Sequence, residues 1–173
     1  MLSLLLEVVW FTLPAWVANS IAIDVKAVPI LKDLSTPMDF GRSFRGKRIL
    51  GDGKTWRGLF AGIVAGTLTG ALQAYLSPGG LPVMSCTLGF LMGSGALIGD
   101  FTASFLKRRM GFDRGDPLII LDTMDYIVGA YFFAWMIVPV NTTYLVLAGL
   151  LTIPFHTIAN FVAYFLKLKK NPW

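Results

Sequence analysis

The sequence predicts an all-α integral membrane protein: a single membrane domain, residues 1–173, built as a bundle of five transmembrane helices with two cytoplasmic loops forming the site. Composition is the first reason, because 55% hydrophobic residues and a mean hydropathy of +0.65 are too apolar for an ordinary soluble domain. Charge distribution is the second reason. All 15 Lys and Arg and nine of the 10 acidic residues fall in segments 24–57, 100–125 and 167–170. The chain between these segments is nearly uncharged, in stretches close to the ~20 residues that a helix needs to cross a bilayer.

Five apolar stretches are predicted to be the spans. In chain order they are residues 2–23, 59–76, 86–106, 121–138 and 142–166. Residues 24–57 and 107–120 are predicted to be cytoplasmic loops, since the other two connections carry no charge. The positive-inside bias therefore predicts a multi-pass protein of the cell membrane, with its amino terminus outside and its carboxyl terminus in the cytoplasm. The net charge of +5 belongs to loops that face anionic lipid, so no nucleic-acid partner is expected; the oligomeric state stays open.

Glycines at regular spacing predict close contacts between helices. Small residues in membrane helices let two backbones approach each other. The second and third spans each carry such a stripe, formed by Gly58, Gly62, Gly66 and Gly70 on one and by Gly89, Gly93, Gly95 and Gly99 on the other.

The first charged loop contains a run in which glycine and positive charge alternate, residues 45–57. Glycine lets backbone N–H groups approach an anion, and Lys and Arg supply the charge that a polyphosphate attracts. It is not a P-loop, because that motif requires glycine where Arg48 stands. The alternative is a basic patch that grips lipid headgroups. The candidate nucleotide-binding residues are Lys47, Arg48, Gly51, Asp52, Gly53, Lys54, Thr55 and Arg57, together with Ser104 of the second charged segment.

The second charged segment places carboxylates at the ends of two predicted spans. Asp100 lies about two turns inside an apolar stretch, where an ionisable group is costly unless it is paired or lines a wet cavity. Asp122 and Asp125 share a face at the start of the fourth span. The three carboxylates are oxygen ligands suited to Mg²⁺, which binds through carboxylates and substrate phosphates. The alternative for these residues is helix capping with salt bridges to the basic residues 107–109.

The order of these residues resembles a known signature. In the bacterial CDP-diacylglycerol synthases, Gly-Asp, a Ser, Lys-Arg and a final Asp-x-x-Asp follow one another. Here they correspond to Gly99-Asp100, Ser104, Lys107-Arg108 and Asp122-x-x-Asp125. The short chain, the five predicted spans and the basic first loop are more similar to the archaeal branch, the CDP-archaeol synthases, and that resemblance covers nearly the whole chain.

The resemblance implies a Mg²⁺-dependent cytidylyltransferase of phospholipid biosynthesis. Its partners would be CTP and an isoprenoid ether-lipid phosphate, an unsaturated archaeal di-ether glycerol phosphate. The products would be CDP-archaeol and pyrophosphate. The residues placed in the reaction are Asp100, Lys107, Arg108, Asp122 and Asp125, with Asp100, Asp122 and Asp125 as the candidate metal ligands.

Two other functions stay open at this point. A CDP-alcohol phosphotransferase would require Asp-Gly-x-x-Ala-Arg, and residues 52–57 lack the alanine. A small non-enzymatic transporter would carry polar residues distributed through its spans, whereas the charges here gather at the predicted cytoplasmic face.

Overall fold

The computed structural model describes residues 2–25, 32–113, 116 and 118–165, and within them the chain is all-helical apart from its connections. The predicted helical class is therefore confirmed. The predicted cytoplasmic location of the carboxyl terminus depends on the basic segment 167–170. This segment lies outside the described residues. The helices are α1 (Leu2–Asp24), α2 (Trp56–Leu76), α3 (Cys86–Arg109), α4 (Ile119–Ala134) and α5 (Thr142–Phe165), with a short 3-10 helix at Lys32–Ser35.

The helices differ in whether they are long enough to cross a membrane. α1, α2 and α3 are each long and apolar enough to cross a membrane by length and composition. α4 has 16 residues, about 24 Å at 1.5 Å per residue, which is shorter than a ~30 Å hydrocarbon core. α3 continues to Arg109, so the basic residues 107–109 form its last helical turn and do not begin the predicted loop 107–120.

Glycines bring α3 into close contact with two neighbouring helices, as the stripes predicted. A Cβ atom built on Gly70 of α2 would lie 2.6 Å from the Cα atom of Gly89 of α3, so any side chain there would force the backbones apart. On another side of α3, a Cβ on Gly99 would collide with the backbone oxygen of Asp125 and lie 3.2 Å from the Cα atom of Gly129 of α4. The second contact sets two carboxylate-bearing turns, at Asp100 and Asp125, side by side.

Side-chain caps fix where α2 and α3 begin. The Thr55 hydroxyl accepts a hydrogen bond from the Gly58 N–H at 3.2 Å, and the Ser85 hydroxyl accepts one from Leu88 at 3.0 Å. Both capping residues have extended backbones, which is the usual N-cap geometry. Thr55, predicted as a nucleotide-binding residue, therefore has a structural role at the start of α2.

The first loop contains a small hairpin that the sequence analysis did not predict. Strand β1 (Ser43–Phe44) pairs antiparallel with strand β2 (Lys47–Arg48). The two connecting residues, Arg45 and Gly46, have φ angles of +53° and +78°. Two positive φ angles in a two-residue connection are typical of the type I′ turn, whose twist matches that of the paired strands.

Candidate active site at the charged end of the bundle

An ion pair joins the first loop to α3. The Lys54 ammonium lies 2.5 Å from an Asp100 carboxylate oxygen, and each side chain is 21% exposed. Asp100 sits two and a half turns before the end of α3 at Arg109. The structure thus brings together residues 46 positions apart that the sequence analysis assigned to one site.

A second ion pair joins the last turn of α3 to the first turn of α4. The Lys107 ammonium lies 2.8 Å from both carboxylate oxygens of Asp122 and 2.7 Å from the carbonyl oxygen of Asp116. Asp122 also accepts a hydrogen bond from the backbone N–H of Leu118 at 3.1 Å. Lys107 is buried, so its charge is compensated inside the protein and not by water. The salt bridge weighed as an alternative role for Asp122 is therefore present.

The third carboxylate of the predicted set belongs to Asp125 of α4. It follows Asp122 by one helical turn and is half-buried. One of its oxygens accepts a hydrogen bond from the backbone N–H of Tyr126 at 2.5 Å. The carboxylate interacts electrostatically with Asp100, Asp122 and Lys54. Asp125 therefore belongs to the same charged cluster as the two ion pairs.

The cluster supplies the ligand type that Mg²⁺ uses, but the ligands are not assembled around a metal position. Among the described residues, no three acidic, His or Cys side chains are grouped so that they could hold a metal ion. Asp100 and Asp122 instead face lysine ammonium groups, which neutralise the carboxylates. Carboxylate oxygens fit the chemistry of a hard cation, and Mg²⁺ needs only one or two of them together with phosphate oxygens. The residues therefore fit Mg²⁺ as donors, provided that the lysines move aside.

Asp39 is the centre of the first loop, and the sequence analysis missed it. Its side chain has no exposed surface and accepts hydrogen bonds from Arg48 at 2.6 and 3.2 Å. It also accepts bonds from the backbone N–H groups of Gly41, Leu50 and Gly51 at 3.1, 3.0 and 2.8 Å. Burial raises its pKa, but these hydrogen bonds, that from Arg48 foremost, outweigh burial and hold the pKa well below its ordinary range. The spacing of Asp39 and Gly41, typical of an Asx turn, was the available signal.

Two predicted nucleotide-binding side chains of this loop have partners within the protein. The Arg48 guanidinium spans Asp39 and Asp52, and the bond to Asp39 raises its pKa. The Lys47 ammonium contacts Asp113 at 2.7 Å and the carbonyl oxygen of Gly111 at 2.8 Å, and the bond from Lys47 lowers the Asp113 pKa. In this structure, both basic side chains hold the loop in place.

Arg109 fastens the hairpin to α3 and is a second residue that the sequence analysis missed. Its guanidinium donates hydrogen bonds to the backbone carbonyls of Phe44, Lys47 and Arg48, the last at 2.8 Å. It also lies over the rings of Phe44 and Phe105, 5.3 and 5.2 Å from their centroids. The signal in the sequence was the position of Arg109 beside Lys107 and Arg108 at the basic end of a predicted helix.

The remaining predicted residues lie in the last two turns of α3, in the first loop and in the first turn of α2. The Arg108 guanidinium donates to the Phe112 carbonyl at 2.8 Å, and a Cβ built on Gly51 would lie 4.0 Å from the Arg108 Nε atom. Ser104 follows Asp100 by one turn and is half-buried. Gly53 lies in the turn before Lys54, and Arg57 is buried in the first turn of α2.

Comparison with known proteins gives a consistent result. The family model described as CarS-like, CDP-archaeol synthase, matches residues 1–173. A CDP-archaeol synthase of Pyrococcus horikoshii is 40% identical over 98% of this chain and 97% of its own length. One from Archaeoglobus fulgidus is 38% identical over the full length of both chains. A solved structure described as an intramembrane enzyme for archaeal membrane lipids biosynthesis is 34% identical, with a TM-score of 0.73 over 90% of this chain and 94% of that one.

Proposed function

The chain belongs to the CDP-archaeol synthase family, and we propose that it transfers CMP from CTP to an unsaturated archaeal di-ether glycerol phosphate, giving CDP-archaeol and pyrophosphate. The observation that carries the assignment to this site is the ion pair between Lys54 and Asp100. It joins a glycine-rich basic loop, suited to polyphosphate, to a cluster of carboxylates at one end of the bundle. The fit of this arrangement to nucleotidyl transfer, together with family membership, disfavours a transporter.

The reaction needs no protein nucleophile. An oxygen of the lipid phosphate attacks the α-phosphorus of CTP, forming a new P–O bond. The bond from the α-phosphorus to the oxygen bridging to the β-phosphorus breaks, and its electron pair leaves with pyrophosphate. The phosphate monoester is largely ionised near pH 7, since its second pKa is about 6, so no strong general base is needed. Positioning and charge neutralisation are the main tasks of the protein.

The two lysines are placed for these tasks. Lys54 and Lys107 each neutralise one carboxylate in the structure, and each carries a primary ammonium on a flexible side chain. When a triphosphate with its greater negative charge is bound, the ammonium groups turn from the carboxylates to phosphate oxygens. Arg108, at the same helix end, provides a third positive charge. Its neighbour Gly51 donates its backbone N–H to Asp39 and so fixes the course of the loop beside this charge.

The carboxylates are then available to a cation. Asp122 and Asp125, with Asp100, are the residues that would hold Mg²⁺. When bound, Mg²⁺ neutralises charge on the phosphate oxygens and stabilises the charge that develops in the transition state. Because Lys54 and Lys107 neutralise two of these carboxylates in the structure, their movement to a bound triphosphate would free carboxylate oxygens for the metal, and metal binding would then be linked to nucleotide binding.

We further propose five membrane spans, with the amino terminus outside and both charged loops in the cytoplasm. The clustering of positive residues supports this topology. In a Cys86→Ser background, a cysteine at Ser43 should react with an impermeant maleimide only from the cytoplasmic side, and one at Gly80 only from outside. Labelling of both positions from the same side would refute the topology.

The assigned reaction is tested with purified protein in detergent, CTP and the ether-lipid phosphate. We expect pyrophosphate release that depends on the lipid phosphate. Release that is equal with and without the lipid would indicate CTP hydrolysis and refute the assignment. Release of CMP from an added CDP-lipid that depends on an added alcohol, without release of pyrophosphate from CTP, would instead indicate a phosphotransferase.

Lys54 is tested through nucleotide affinity. Lys54→Met should weaken CTP binding by ~1.5–3 kcal/mol, the value of one hydrogen bond to a charged group. Lys54→Arg, which keeps the charge, should recover much of that affinity. Equal CTP affinities for Lys54→Met and the unchanged protein would exclude Lys54 from the phosphate site.

A further inference from the structure

Three aromatic rings form a continuous row from α2 to the first loop. The ring of Phe60 stacks on that of Trp56, with centroids 6.0 Å apart, and Trp56 lies 6.4 Å from the ring of Phe40. Phe40 is 63% exposed and Phe60 is 48% exposed. The row is therefore a large apolar surface that the described part of the chain leaves largely uncovered.

α2 sets the depth of this row relative to a membrane. The helix has 21 residues and is about 32 Å long, which matches a hydrocarbon core of ~30 Å. Trp56 is its first residue and so lies at one boundary, the level that tryptophan favours. Phe60 lies one turn further in and faces outward from the bundle. Because Phe40 is in contact with Trp56, the loop at Phe40 lies at the same boundary.

The backbone at Phe40 is in a conformation that a phenylalanine rarely adopts. Its φ angle is +49°, in the left-handed region that glycine enters without strain. Such strain persists where surrounding interactions impose it, and here the residues on either side of Phe40 are joined by a part-buried hydrogen bond from the Gly41 N–H to the Asp39 carboxylate. The strain presents an aromatic ring outward from the loop. A ring so held and so exposed points to a contact outside the chain.

Positive charge lies beside the aromatic surface. Arg42 and Arg45 are both exposed. The Arg45 guanidinium is 5.5 Å from the centroid of Phe44, whose residue is 50% exposed. Aromatic rings that enter the acyl boundary, flanked by arginines that reach the headgroups, are typical of segments that bind an anionic bilayer surface.

We propose that residues 40–45 form an interfacial anchor, a segment that lies in the bilayer surface at the end of α2. The rings of Phe40 and Phe44 enter the acyl boundary, and Arg42 and Arg45 contact the phosphates of anionic lipids. The anchor continues the lipid-facing surface of α2 through Trp56. It holds the loop that carries Lys54 at the depth of lipid phosphates. The anchor depends on the membrane position of α2 and is independent of the proposed CMP transfer.

The test measures the depth of single positions in reconstituted vesicles of phosphatidylcholine and phosphatidylglycerol. In a Cys86→Ser background, bimane is attached at Phe40→Cys or, as the matched control on the same loop, at Asp52→Cys, whose native side chain is 59% exposed. Quenching is compared between a nitroxide on the lipid chain near the headgroup and iodide in the water. We expect the lipid nitroxide to quench position 40 severalfold more than position 52, and iodide to show the reverse order.

Two outcomes would overturn the anchor. Equal quenching of positions 40 and 52 by both agents would place Phe40 in water. Protection of position 40 from both agents would show that a second protein copy covers this position. Since Phe40→Cys removes the ring itself, a second probe at Phe44→Cys reads the depth of the anchor with Phe40 intact, and the same ordering against position 52 is expected.

The charged half of the anchor has its own test. With the probe at Phe44→Cys, replacing Arg42 and Arg45 by Gln should lower quenching by the lipid nitroxide in vesicles that contain phosphatidylglycerol. In vesicles of phosphatidylcholine alone, the same replacement should change little. An equal effect in both vesicle types would show that the arginines do not contact anionic lipid, and the proposed lipid-phosphate contacts would be wrong.

Discussion

Replacing Asp39 by Asn should open the first loop while leaving the helices folded. The amide nitrogen must take the position of one carboxylate oxygen and face groups that donate hydrogen bonds. In one orientation the loop loses the bonds from Gly41 and from Arg48 Nη2; in the other it loses those from Arg48 Nε, Leu50 and Gly51. Even the first orientation loses about 1 kcal/mol for the neutral bond and about 2 kcal/mol for the charged one. A loss of about 3 kcal/mol raises the population of the open loop about a hundredfold.

Trypsin cleavage within the loop measures that population, because the loop contains several basic residues. When opening is fast relative to cleavage, the cleavage rate follows the open population. Asp39→Asn should therefore be cut about a hundredfold faster in the loop, whereas the melting temperature of the helices should change little. Asp33→Asn removes the same charge from an exposed position of the same loop and serves as the matched control. Equal cleavage of the two variants would refute the central role of Asp39.

Three further predictions concern pH, packing and substrate. Because the pKa of Asp39 is lowered from its ordinary value of 3.8, the stabilisation that this carboxylate gives the loop should be complete above pH 4 and should disappear only as the pH falls through the depressed pKa. The order of the loop is measured by the fluorescence of Trp56 in a variant without other tryptophans. Loss of that order at or above the ordinary pKa would contradict this prediction. Gly70→Ala should lower the melting temperature by the equivalent of ~1–3 kcal/mol, since its Cβ would meet the Gly89 backbone, whereas Gly79→Ala, in open space, should not. The enzyme should prefer the isoprenoid substrate over diacyl phosphatidate by ~1–3 kcal/mol and show no activity on glycerol phosphate; comparable turnover of glycerol phosphate would exclude a positioning role for the lipid tails.

The helical fold and the glycine contacts could be predicted because they depend on local and periodic features. Apolar length predicts helices in a membrane, and the spacing of Gly66, Gly70, Gly89 and Gly93 predicts faces that pack closely. Helix ends were less predictable. α3 extends to Arg109 because its basic residues contact the hairpin and α4, and these partners are distant in sequence.

The charged residues of the candidate site were predicted from the sequence, but only one of its two ion pairs was considered there. A salt bridge from Asp122 to one of the basic residues 107–109 was considered from the sequence, and the structure shows that its partner is Lys107. Lys54, the partner of Asp100, became evident only in the folded chain because it lies on the distant first loop. Asp39 was missed because a single acidic residue in a basic loop has no periodic signature. Its importance comes from complete burial, which depends on how residues 41–51 fold around it.

The most direct test of CMP transfer at this charged cluster is a label-transfer measurement with Asp122→Asn. CTP labelled at the α-phosphate is incubated with the ether-lipid phosphate, and lipid-bound label, pyrophosphate and CTP binding are followed together. The unchanged protein and Asp33→Asn should form lipid-bound label and pyrophosphate in equal amounts. Asp122→Asn should form neither but still bind CTP. Lipid labelling by Asp122→Asn at the rate of the unchanged protein would contradict a role for this cluster in the reaction.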